Sequence, residues 1–218
     1  MLIVAIPKSG SSSLIETLGM LHSCPIGQTW YGERPAPNEL SLLHRYHSDM
    51  REITEEKASQ LARDKKFYKQ HIPPSTNNRY LLRDTKKIIL LREPSEIVAA
   101  YFRADMKGIH KKRMEFDGLK TLDDWQQEAM SNGLLNDLQW FCDSWISEVS
   151  QWPDLNRIIE YSDLVVDPKS SINDIEVHFN LPLSESVELA RVHYSRFSPI
   201  QDAGHKILSI SKRFFRVK

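Results

Sequence analysis

Short apolar runs punctuate an otherwise mixed chain. Residues 2–6 (LIVAI) are apolar on both faces and rich in branched side chains, which predicts a fully buried, central parallel strand. KKIILLREP (86–94) predicts a second buried strand ending at Arg92, and RIIEYSDLVVDP (157–168) a third, followed by a turn and Pro168. FYKQHIPP (67–74) begins like a strand and is stopped by Pro73 and Pro74.

Between these runs the period lengthens. Leu14, Ile15, Leu18 and Leu21 fall at helical spacing, with Ser11 or Ser12 as the expected cap. A helical patch is expected near Leu40 to Tyr46, and residues 51–65 read as a charged surface helix. Pro94 suits the first turn of a helix through Ile97 and Tyr101. Residues 103–133 look polar and irregular, with a basic patch at 107–113. Leu134, Leu138, Phe141, Trp145, Val149 and Trp152 then share one stripe of a long amphipathic helix. The tail to Lys218 reads as mostly helical, with a basic segment over 195–218. Strands alternating with helices predict an α/β fold: a central, mainly parallel sheet flanked by helices. Its 218 residues suit one domain spanning 1–218.

Composition narrows the function. Hydrophobic residues are 40% and charged residues 27%, ordinary for a globular protein, and the formal net charge is zero. No global field draws the chain to nucleic acid or an anionic membrane, so any anion site has to be local. The first apolar run is too short for a signal peptide or a membrane span. Two cysteines, Cys24 and Cys142, point to reduced thiols and a cytoplasmic setting.

The densest chemistry lies in PKSGSSSL (7–14), between the first strand and its helix. That is the carboxyl edge of the sheet, where open α/β folds bind ligands. Helix N–H groups favour an anion, Gly10 allows close backbone approach, Lys8 adds a charge and the serines add donors. The lysine precedes the glycine, so this is not the GxxxxGKS/T nucleotide loop. A kinase or ATPase would also end a buried strand on an acid that holds magnesium. Here the strand runs into Arg92, which suits direct bidentate anion binding without a metal. Taken alone, Arg92 is better explained by an ion pair with Glu93 or Glu96, and the loop, which by itself favours the anion site only modestly, has a serine-capped turn with a solvated lysine as its alternative.

PKSGSSSL resembles the PKSGTTWL-type loop of the PAPS-dependent sulfotransferases, which grips the 5′-phosphosulfate of 3′-phosphoadenosine 5′-phosphosulfate (PAPS). Three further segments agree in order. YKQHIPP is similar to the family's KTHLP segment with its catalytic base. IILLREPSEIVAAYF resembles the segment that binds the 3′-phosphate. WISEVSQW with IIEYSDLVVDP is similar to the W-x-x-H-V-x-x-W helix and YEDL-x-x-DP turn. The matches reach from residue 1 to about 168.

The resemblance implies a P-loop-NTPase-like sulfotransferase fold and metal-independent, in-line sulfuryl transfer to a hydroxyl or amine, with PAPS as donor and PAP as product. It implies His71 as general base, with Lys8 and Lys69 stabilising charge on the transferring group. It places Lys8, Ser9, Gly10, Ser11, Ser12 and Ser13 on the phosphosulfate, Arg92 on the 3′-phosphate and Tyr161 near the adenine. The acceptor is expected to be a small molecule or glycan, its pocket drawn from 24–50, 103–133 and the tail. The chain departs from the pattern at Ala100, where a serine is usual, at Ser13 in place of a stacking tryptophan, and at Glu148 in place of the histidine. It also lacks the RKG-x-x-GDWK-like segment, whose work Lys212, Arg213 and Arg216 could share. Two other readings stay open at this point: a magnesium-dependent kinase with an atypical loop, and a PAP-binding protein without turnover.

Overall fold

The computed structural model describes residues 1–27, 50–106 and 114–190. The patch at 40–46, the basic patch at 107–113 and the tail residues Lys212, Arg213 and Arg216 lie outside them. Four strands form one parallel sheet: β1 (Leu2–Ala5), β2 (Tyr68–Gln70), β3 (Lys87–Leu91) and β4 (Asn156–Glu160), in spatial order β2-β1-β3-β4. β1 is central, as its two-sided apolar run predicts. It pairs Val4 with Gln70 on one side and Ala5 with Leu90 on the other. β3 continues the sheet by pairing Leu91 with Glu160.

The strand alternation divides two cores. Leu2, Val4 and Ile6 face one side with Ile89, Leu91, Tyr101, Trp125 and Trp145. Ile3 and Ala5 face the other, against Leu14, Leu18, Ile88, Ile172 and Ile175. The helices supplying these faces are α1 (Ser11–Leu21), α2 (Glu55–Arg63), α3 (Thr76–Leu81), α4 (Pro94–Met106), α5 (Leu122–Ser131), α6 (Leu134–Gln151), α7 (Tyr161–Val166) and α8 (Pro168–Phe179). Among the described residues no helix is long and apolar enough to cross a membrane.

Four local expectations change. The cap of α1 is Gly10, in the left-handed region at φ 82°, and Ser11 and Ser12 already lie inside the helix. Residues 114–131 are ordered: Thr121 and Asp124 form a capping box that starts α5, and Trp125 stacks on Phe116 at 4.2 Å. Only Trp125 and Ala129 of α5 are buried, so its apolar signal was too sparse to stand out from the charge around it. Trp152 lies past the end of α6 and is 47% exposed, so the core stripe stops short of it. After α8 the chain leaves the helix. Glu176, wholly buried, accepts hydrogen bonds from the Ser184 N–H (2.9 Å) and hydroxyl (2.5 Å), and Ala190 N–H donates to Thr17 Oγ1 at 2.9 Å. Residues 181–190 are thereby pinned to α8 through Ser184 and to α1 through Ala190.

The opposite edge of the sheet holds a buried charge. Lys87, at the start of β3, is fully buried and donates through Nζ to the carbonyls of Leu82 (2.6 Å) and Thr85 (3.1 Å). Burial lowers its pKa to about 8, against a smaller opposing pull from Glu148. Glu148 is itself buried, and its Oε1 has no hydrogen-bond partner among the described residues.

Removing one of two mutually compensating buried charges strands the other. Lys87→Met is therefore expected to destabilise the protein by about 3 kcal/mol, and Lys87→Met with Glu148→Leu to recover most of that, by urea denaturation. Between pH 8 and the ordinary lysine value of 10.5 the unfolded chain binds the extra proton, so Lys87 makes stability rise with pH. Cys142, pushed up to about 12 by burial, opposes this only above its ordinary value of 9. A rise in stability from pH 8 to 9 that Lys87→Met abolishes is expected, and a flat wild-type profile there would contradict the assignment.

Candidate active site

Every strand of the sheet delivers a polar residue at its carboxyl end. From β1 the chain turns through Pro7 and Lys8, whose φ is 74°, a conformation that non-glycine residues rarely adopt. Ser9 is fully buried. Its hydroxyl donates to the Ile6 carbonyl at 2.8 Å and its N–H to the same oxygen at 3.3 Å. Ser9 thus fixes the shape of the turn. Gly10 then starts α1, with Leu14 N–H donating to its carbonyl at 3.1 Å. The first-turn N–H groups of a helix have no acceptor within it, and here those are contributed by Ser11, Ser12 and Ser13.

β2 brings two residues to this turn. Lys69 Nζ donates to Ser12 Oγ at 3.1 Å. His71 follows the strand, 7% exposed, with its Nδ1 2.7 Å from the Ala5 carbonyl. A carbonyl oxygen can only accept, so Nδ1 carries the proton, and in the uncharged form of the ring the lone pair is on Nε2. The register explains the contact: the β1–β2 ladder ends at Val4 and Gln70, which sets His71 beside Ala5.

β3 ends on Arg92, whose guanidinium touches three elements at once. Nη1 donates to the Lys8 carbonyl at 2.7 Å, Nε donates to Glu96 Oε2 at 3.1 Å, and the plane lies 4.0 Å from the centre of the Tyr161 ring. Behind it, the Cys142 thiol points at the Arg92 carbonyl, 3.9 Å away. Tyr161, the first residue after β4, presses its ring edge on Gly10, where an added Cβ would lie 3.0 Å from Cε2. Burial, then Asp163 and Glu93, raise the carboxyl pKa of Glu160 beside it.

Lys8, Gly10, Arg92 and Tyr161 are therefore joined through direct contacts, Lys69 meets Ser12 on the same turn as Ser11 and Ser13, and His71 reaches the Ala5 carbonyl at the end of β1. The ion pair weighed for Arg92 forms with Glu96. The role of the Ala5 carbonyl carries no sequence signal, being backbone.

A family model for the sulfotransferase domain matches residues 1–213. The chain belongs to this family. No curated protein matches it in sequence. In fold it is similar to a sulfotransferase from Alicyclobacillus acidocaldarius (TM-score 0.54, 12% identity, covering 95% of this chain and 89% of that one). It is also similar to mouse sulfotransferase SULT7A1 complexed with PAP (0.57, 14%, 95% and 81%). A third similar structure is a retinol dehydratase in complex with androsterone and the inactive cofactor PAP (0.54, 15%, 84% and 60%). The α/β architecture and parallel sheet expected for a sulfotransferase are thus present.

Two measurements probe the edge. Gly10→Ala adds left-handed strain and drives a methyl into Tyr161, and is expected to destabilise the protein by about 2 kcal/mol. In a Tyr161→Ala background the same change is expected to cost only about 1 kcal/mol, the strain alone; equal costs in both backgrounds would remove the contact from the account. A long-range nitrogen–proton NMR spectrum at neutral pH is expected to show His71 as the Nδ1–H tautomer, and the Nε2–H tautomer would refute the reading of its bond to Ala5.

Proposed function

We propose that this protein is a sulfotransferase that moves a sulfuryl group from PAPS to a hydroxyl or amine of a small-molecule or glycan acceptor, releasing PAP. The observation that carries the reading is the Lys69 ammonium on Ser12 in the N-terminal turn of α1, with Lys8 in the loop before that turn and His71 beside the end of β1. The donor set fits a phosphosulfate: one helix N-terminus, the lysines of the loop and of β2, and a left-handed glycine that opens the helix. PAPS supplies the sulfuryl group when bound. The N–H groups of the turn and Lys8 would hold its phosphosulfate, Arg92 its 3′-phosphate and Tyr161 the adenine.

Sulfuryl transfer leaves the protein mainly positioning and charge stabilisation, as phosphoryl transfer does. Lys8 and Lys69 supply the charge, and Ser12 keeps the Lys69 ammonium on the turn. His71 takes the proton of the acceptor at Nε2. Its Nδ1–H stays on the Ala5 carbonyl, which stabilises the imidazolium that results. Arg92 at the end of β3 stands where a magnesium-binding kinase would carry an acid, so the kinase reading has no support from this edge.

PAP is expected to raise the melting temperature in EDTA, with no effect from added magnesium. His71→Ala is expected to bind PAP within about threefold of wild type and to lose at least about 100-fold in turnover of radiolabelled PAPS over a panel of hydroxyl and amine acceptors. Unchanged turnover would remove His71 as base, and no melting shift with PAP would remove the donor.

A further inference from the structure

The Arg92 guanidinium is committed on three sides. The Lys8 carbonyl takes Nη1, the Tyr161 ring covers one face, and Glu96 takes the Nε edge. The arginine side chain is only 10% exposed, whereas that of Glu96 is 52% exposed. Of the three partners, two are fixed by the fold. Lys8 is held by the loop and Tyr161 by its position between Gly10 and Arg92. Glu96 alone is an anion on a flexible, solvent-facing side chain. It sits one helical turn after Arg92, a spacing that lets the pair form locally.

The pair borders a cavity of about 300 Å³, also lined by Gln139, Glu160 and Tyr161. Among the described residues lining it Arg92 is the only cation, against carboxylates from Glu93, Glu96 and Glu160. With its charge matched by Glu96, the arginine offers little net attraction to a further anion. A phosphate carrying close to two charges and a bidentate demand on the fork needs the edge that Glu96 holds. Ala100, on α4, brings no hydroxyl that would add to the attraction.

We propose that Glu96 is a specificity-determining residue: its carboxylate occupies the edge of Arg92 that a 3′-phosphate takes, and the nucleotide must displace it. This rests on the proposed sulfotransferase reading. It follows that the protein discriminates weakly between nucleotides with and without a 3′-phosphate, and that the discrimination is held down by one exposed side chain.

The test compares wild type with Glu96→Gln and Glu93→Gln by calorimetric titration of PAP and of 5′-AMP, in magnesium-free buffer at fixed ionic strength. Both positions are exposed at the start of α4, and melting without nucleotide verifies that the variants fold. Glu96→Gln is expected to tighten PAP by about tenfold, while 5′-AMP, bound by wild type nearly as well as PAP, changes less than about twofold. Glu93→Gln removes the same charge without touching Arg92 and is expected to gain less than half as much on a logarithmic scale. Equal gains in both variants would replace the displacement with a general field and overturn the proposal. So would unchanged or weaker PAP binding in Glu96→Gln, with the sulfotransferase reading intact. PAP binding to none of the three proteins would overturn both.

Discussion

The pairing of β1 on both sides is the constraint from which the rest follows. A strand hydrogen-bonded to two neighbours and covered on both faces has to be apolar throughout, and Leu2–Ala5 is. Its register fixes where the other strands end. Ala5 lies level with Leu90, and Val4 with Gln70. His71, Arg92 and Tyr161 each follow directly on the last residue of a strand, so the level of the ladder sets the level of the chemistry. A slip of one residue in β2 would exchange the faces of its side chains and move His71 away from Ala5. The site therefore depends on ladder geometry more than on any contact within the site.

That ladder also sustains a strained turn. Lys8 at φ 74° is disfavoured by about 1 kcal/mol relative to an ordinary conformation. The bond from Arg92 to its carbonyl is charge-assisted, and such a bond is worth about 1.5–3 kcal/mol. Arg92 thus stabilises the conformation that presents Lys8, in addition to any role toward a ligand. Losing the arginine would disturb both, so its removal cannot separate them; changing Glu96, which shares the guanidinium without touching the turn, can.

The parts of this structure legible in the sequence are those where local pattern and tertiary need agree. The buried strands are apolar on both faces, the loop concentrates hydroxyls and glycine, and Arg92 closes an apolar run. The parts that were not legible are partnerships. Nothing in SGSSSL states that the left-handed Gly10, and not a serine, caps α1, because that depends on Tyr161 leaving room for nothing larger. α5 hides because it buries two residues and exposes charge, while its evidence sits in the spacing of Thr121 and Asp124. Trp152 was misplaced for the opposite reason: its spacing continues the α6 stripe, but the helix ends before it reaches the core. The Ala5 carbonyl, which selects the His71 tautomer, is invisible to any reading of side chains.

A chain with no net charge makes anion affinity only through local asymmetry, and this edge is asymmetric. On the β2 side, Lys8 and Lys69 stand at the N-terminus of α1. On the β4 side, Arg92 is outnumbered by Glu93, Glu96 and Glu160. The two halves meet where Arg92 donates to the Lys8 carbonyl, with the Tyr161 ring against both Arg92 and Gly10. An anion that spans them meets attraction at the loop and competition at the far end. Under the proposed function, binding energy is concentrated where the sulfuryl group reacts, and the far end acts as a discriminator. Interactions at the reacting centre can strengthen as charge develops in the transition state, whereas those at a remote phosphate hold ground state and transition state alike. Weakening the remote grip while keeping the loop therefore lowers affinity for the spent nucleotide without sacrificing the charge stabilisation that the chemistry needs.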